Sequence, residues 1–286
     1  MTDKALGDRI PEFGKNDANK AGGASAAGLG GLTSGVRIQS TRELVAIIAV
    51  AVIIIGGAEV LLRLFEVPSY ILPTPSSVMA VFFSGDMPVI AQHFGYTLVE
   101  LFAGYAIGAS IGIALAAVIT QFPFAEKIIA PYILLLVTTP MLALVPLLIL
   151  NFGFGFAPRI IAVALASGPM VMINSATGFR RVDLGKIALA RSYGASTLQI
   201  FTKIRVPMAM PMVIVGLMIG AIFGLITAVG AEMAGGGFGL GSRLTTYSSV
   251  IRMPEFFACV LILSTLGILI YLFFVWLGKR LAGWES

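Results

Sequence analysis

Six apolar runs, each about the length of a bilayer crossing, recur along this chain, and one long polar interval separates the fourth from the fifth. A run of that kind finds no water in hydrocarbon, so it must satisfy its backbone internally, which helices do. The pattern predicts an all-α polytopic membrane protein with spans near residues 44–65, 96–120, 128–150, 157–178, 212–233 and 257–277. Hydrophobic residues are 58% of the chain and charged ones 12%, at a mean hydropathy of +0.97, which excludes an ordinary soluble domain. Residues 1–43 lack an apolar core and read as a polar, disordered cytoplasmic tail ahead of a transmembrane domain over 44–286.

The net charge of +5 does not point to nucleic acid, because the basic residues are sorted by side. Fifteen of nineteen Lys and Arg fall in the N-terminal tail, the loop after the second span, the polar interval and the C-terminal end, and none lies between Arg63 and Lys127. The positive-inside rule therefore places both termini and the polar interval in the cytoplasm. Trp276 and Trp284 fit an interfacial anchor. With Cys259 the only cysteine and His93 the only histidine, neither a disulfide nor a cysteine- or two-histidine metal site is expected.

The polar interval, residues 180–211, reads as two short amphipathic helices with a corner between them. Asp183 is placed as an N-cap, with Leu184, Ile187, Ala188 and Arg191 on one face. Gly194 is placed to take φ > 0, and Ser196 with Gln199 forms a capping box for a helix with Leu198, Phe201 and Ile204 on its apolar side, ended by Pro207 and Pro211. The alternative is a plain connector. The run resembles the EAA loop of ABC-importer permeases, E-A-A-x-x-x-G followed after nine residues by I-x-x-P. Ala190, Gly194, Ile204, Pro207 and Pro211 match that pattern, while Ala188 stands in place of the glutamate and Leu189 in place of the first alanine.

Two other stretches carry the same resemblance. Leu72-Pro73-Thr74-Pro75-Ser76 is similar to the L-P-[ST]-P-S turn of the nitrate, sulfonate and taurine branch, and TPMLALVPLLILNFGFG is similar to its proline-rich third span. Pro131, Pro140 and Pro146 predict a broken third span, which makes Thr138, Thr139, Pro140 and Met141 candidates for pathway lining; a kinked packing helix is the other reading. Asn174, the one amide of the fourth span, either packs between helices or faces solute. Gly104, Gly108 and Gly112 form a small-residue stripe for close helix approach. Glu59, Glu100 and Glu232 read as lying near the outer interface, as do Arg159, Arg243 and Arg252, whose charge could draw in an anion.

The resemblance implies a type I ABC importer permease fold in the bacterial inner membrane, with a homodimer docking cytoplasmic ABC ATPases at Ala188, Ala190, Gly194, Ala195, Ser196, Ile204, Pro207 and Pro211. It implies solute delivery by an extracytoplasmic binding protein, an outer gate at Glu232, Gly239 and Gly241, and ATP with Mg held by the partner ATPase rather than by this chain. No P-loop is present: Gly14-Lys15, Gly185-Lys186 and Gly278-Lys279 are followed by Asn16, Ile187 and Arg280, and Arg9, Arg180 and Phe273 occupy the places of the first glycine. The expected cargo is a small anion such as a sulfonate or nitrate. An ion- or proton-coupled secondary transporter would need an ionisable group at mid-membrane, and an intramembrane enzyme would need a catalytic cluster.

Overall fold

The computed structural model describes residues 41–281, so the leader up to residue 40 and Trp284 lie outside the described residues. Those residues form helices and no strand. Helix α1, Thr41–Leu64, carries a run of mean hydropathy 2.8 and is long enough to cross a membrane by itself.

The body, residues 61–281, begins with the Pro-rich turn and the short helix α2, Pro75–Val81, whose N-cap Thr74 accepts a hydrogen bond from Ser77 N. Helix α3, Met87–Gln121, starts nine residues earlier than the apolar run indicated: His93 is buried on it rather than marking a loop, while Gln92 stays exposed and donates to the Tyr96 hydroxyl at 3.0 Å. The third span is indeed broken: α4, Pro123–Thr138, and α5, Met141–Phe152, meet at 97° around Pro140. Pro131 and Pro146 sit inside those helices and break neither. Helix α6, Phe156–Arg180, is the most buried of the crossing helices.

The polar interval gives α7, Leu184–Ser192, and α8, Thr197–Ile200. Contrary to expectation, Pro207 and Pro211 do not end the second of these. The chain passes through a π-turn at Phe201–Arg205 directly into α9, Val206–Gly235. Pro207 falls in the first turn of α9, where its missing N–H is not needed, and the wider π-turn absorbs the change of register. Helices α10, Leu240–Ser249, and α11, Met253–Leu281, complete the body.

Glycine sets the packing of α6 between α3 and α9. A Cβ on Gly104 would lie 2.6 Å from Ile160 O, and one on Gly112 2.5 Å from Gly168 O, so the stripe on α3 lies backbone to backbone on α6. On the other side, a Cβ on Gly216 would lie 2.7 Å from Asn174 Cβ, and one on Gly220 2.6 Å from Val171 Cγ2. Among the described residues five helices are long and apolar enough to span, and six if the bent pair counts as one.

Candidate functional site

Three places in the body carry polar groups or cavities that a membrane bundle does not need for packing, and α9 runs past all of them. The first is the corner between α7 and α8. Asp183 caps α7 by accepting from Gly185 N at 2.8 Å. Gly194 takes φ +79 and donates to Arg191 O, and Ala195 N donates to Ala190 O at 3.0 Å, so α7 ends in a left-handed turn that an L side chain disfavours. The Ser196 and Gln199 box then closes in both directions, at 2.8 and 3.3 Å. Val182, Ile187 and Ile200 form a small core beneath, with Ala190, Ala195 and Ile204 half-buried against it.

What faces outward differs from the expected apolar stripe. Of Leu184, Ile187, Ala188 and Arg191 only Ile187 is buried, and Leu198 points away from the core. Leu184, Tyr193 and Leu198 are 76%, 84% and 71% exposed, beside Arg191 and the hollow lined by Gln199 and Lys203. This is a rigid knob with an uncovered apolar surface and a basic edge. Arg180 pairs with Glu126 at 2.9 Å, which puts the loop after the second span at the same end of the bundle as the knob.

The second place is the glycine-rich turn between α9 and α10. Here Glu100 and Arg159, expected near the outer interface, are enclosed by the body rather than solvated. Both are buried, and Arg159 donates to Glu100 Oε1 at 2.8 Å, to Phe238 O at 3.0 Å and to Gly236 O, with its guanidinium 4.0 Å from the centre of the Phe238 ring. Glu232 Oε2 accepts from Gly241 N at 2.6 Å, and Thr97 accepts from Leu240 N at 2.9 Å. Gly239 takes φ +90, and any Cβ there would overlap the Glu232 carboxyl. Glu232, Gly239 and Gly241 are thus brought together, as the resemblance implied, but around an ion pair that the sequence did not reveal. The signal for it was the sole arginine of an apolar span, since a buried charge requires a partner. His93, expected outside the bilayer, is buried in α3 and accepts from Arg243 at 2.6 Å. Arg252 holds Asp86 and Glu255, each at 2.6 Å, and those carboxylates, Asp86 first, push its guanidinium above its usual range.

The third place is the bend in the broken span. A cavity of about 320 Å³ opens there between α4, α5, α6 and α9. Thr139, Pro140 and Met141 line it, with Met170, Phe223 and Thr227 from the facing helices. Thr138 is not part of its wall; its hydroxyl donates back to Leu134 O at 3.0 Å. Asn174 is not either, since it donates to Met170 O at 2.8 Å at the crossing of α6 and α9. Among the described residues no group of three His, Cys, Asp or Glu side chains is placed to hold a metal ion.

The chain is similar to known transport proteins over most of its length. It is 29% identical over 213 residues to a probable ABC transporter permease of Haemophilus influenzae, covering 74% of this chain and 86% of that one. It is 27% identical over 236 residues to a putative aliphatic sulfonates transport permease of Bacillus subtilis, covering 82% and 83%. In fold it is similar to a solved MetNI methionine ABC transporter chain in an inward-facing conformation, at a TM-score of 0.56, 18% identity, and 69% and 99% coverage. Residues 108–283, well over half the chain, match the model of the binding-protein-dependent transport system inner membrane component. The chain therefore belongs to that family, the multi-pass inner-membrane permeases of ABC importers, which are not enzymes and whose ATPase is a separate subunit.

Proposed function

We propose that this permease works as a homodimer in which each copy docks one cytoplasmic ATPase on the α7–α8 knob and receives a small solute from an extracytoplasmic binding protein. The observation that carries this is the knob itself. Its corner is fixed by Gly194 and by the Ser196 and Gln199 box, while Leu184, Tyr193 and Leu198 stand uncovered. An apolar patch of that kind, held rigid in a polar interval, marks a protein interface. The basic residues around it favour the cytoplasmic side, and with it cytoplasmic termini.

The mechanism follows from continuity. From Thr197 to Gly235 the chain is one helical run of 39 residues, about 58 Å at the usual rise. It joins the knob at one end to Glu232 and the glycine-rich turn at the other. The partner ATPases, which would hold ATP and Mg, draw the two knobs together, and the run carries that motion to the outer gate formed by Glu232, Gly239 and Gly241. The two bundles then rock as bodies, closing the inner mouth as the outer one opens. Solute crosses past Thr139, Pro140 and Met141. The residues of the loop divide by role: Ala190 and Ala195 keep the corner thin, Ile204 seats it on its core, and Ala188 faces the partner with no carboxylate to offer.

A sulfonate or nitrate cargo agrees with the name of the Bacillus relative. The arginines once expected to attract such an anion give it no support, because Arg159, Arg243 and Arg252 are each committed to partners within the chain. The test is reconstitution with its ATPase: solute-stimulated ATP hydrolysis is expected to fall to the basal rate in Gly194→Pro, which still inserts. Unchanged stimulation would remove the docking role from the corner.

A further inference from the structure

The knob carries an unbalanced charge on the surface that its apolar residues leave uncovered. Leu184, Ala188 and Arg191 stand at i, i+4 and i+7 of α7, so they share one stripe, and all three are exposed. Tyr193 and Lys203 border one hollow with Gly194 and Gln199, and both side chains are exposed. Against these bases the interval 180–211 holds one acid, Asp183, whose Oδ1 is taken up by the Gly185 amide. Neither Arg191 nor Lys203 has a carboxylate partner among the described residues.

Topology accounts for the sign of this charge and not for its place. Positive-inside sorting asks for Lys and Arg near the span ends, whichever way they point. Lys186 meets that need from the far side of α7, about 200° around the helix from Leu184. Arg191, in contrast, shares a stripe with Leu184, and Lys203 shares a hollow with Tyr193, and those apolar residues are the ones that stand uncovered. A partner that covers them takes water from the two bases at their edge, and a cation losing water needs a counter-charge in return. We infer that the ATPase groove receiving the knob has an apolar floor and a rim of Asp or Glu that meets Arg191 and Lys203, and that this pairing speeds docking. The inference rests on the reading that the knob docks an ATPase.

The test is the association rate of the full permease, held in nanodiscs of zwitterionic lipid, with the ATPase recovered alongside it, measured at rising salt. The wild-type rate is expected to fall about tenfold or more from low to high ionic strength, and Arg191→Glu with Lys203→Glu to lower it by a similar factor at low salt. Arg191→Gln with Lys203→Gln, which cannot repel, is expected to flatten the salt dependence and keeps the test valid if charge reversal disturbs the corner. Ala188→Glu sets a carboxylate one turn from Arg191 and is expected to slow docking by quenching it. Lys186→Glu, off the stripe, is expected to change the rate far less than Arg191→Glu. A rate indifferent to salt and to these substitutions, or one that Ala188→Glu raises, would overturn the inference and leave the importer reading standing. Equal losses from Lys186→Glu and Arg191→Glu would also overturn it, since net charge and not a matched rim would then be at work. So would a double reversal that alters docking only in nanodiscs of anionic lipid, which would assign the two bases to headgroups. A wild-type chain that docks no ATPase at any salt would instead defeat the importer reading itself.

Discussion

Arg159 is the residue that ties together the end of the body at the glycine-rich turn. It joins α3 through Glu100, and it holds two carbonyls of the turn after α9. Removing one member of a buried pair leaves the other charged and unpartnered, which costs more than replacing both. Arg159→Met is therefore expected to destabilise the purified protein by about 3–5 kcal/mol, while Arg159→Met with Glu100→Met recovers most of that loss. Thermal unfolding in detergent checks this; a double variant no better than the single would mean that the carbonyl contacts, not the ion pair, carry the stability. Glu100 and Arg159 are 59 residues apart, and no local period links them. Each was visible in the sequence as a lone charge in an apolar run, but their meeting is set by how α3 crosses α6, which the sequence does not spell out. Gly194 was legible to its backbone sign, because its demand for φ > 0 is local. At that position Gly194→Ala is expected to cost about 1–2 kcal/mol locally and leave coupling weakened, whereas proline, fixed near φ −65°, cannot adopt the turn. The ratio of solute-stimulated to basal ATP hydrolysis orders the two variants.

Among the elements, α6 is held by backbone approach on both sides; the glycine stripe of α3 at every fourth residue announced a close helix approach, but not which helix makes it. A Cβ at Gly108 would lie 2.5 Å from Ala164 O, so Gly108→Leu has to push α3 off α6. The expected result is a loss of about 1–3 kcal/mol or more, seen as a lower melting temperature and a broadened gel-filtration peak. A variant that melts like the wild type would show that the two helices separate at no cost. The prolines were less transparent. Three in the third span announced a break, but only Pro140 makes one, where the preceding Thr139 is extended and its hydroxyl takes Leu135 O at 2.7 Å. Pro207 and Pro211 looked like stops because their N–H groups are missing; Pro207 falls in the first turn of α9, where that group is not needed, and Pro211 sits inside the helix, which runs on through it. Capping boxes and glycine corners are short-range and readable, whereas whether a proline ends a helix depends on what the neighbouring turn does.

At the scale of the whole molecule, the spans and the polar interval were legible because hydrocarbon imposes length and composition on every crossing. The knob, the broken span and the glycine-rich turn lie along one helical run, Thr197–Gly235, which is the path by which the proposed docking at one end would be felt at the other. The central claim is that the knob exists to hold an ATPase. The most direct test is a mild-detergent pull-down of the tagged protein from its native membrane, with mass identification of what accompanies it. Recovery of a P-loop ATPase with the wild type, and its loss from Gly194→Pro at unchanged membrane content, is the predicted result. A chain recovered alone that still moves solute in proteoliposomes without ATP would contradict the account.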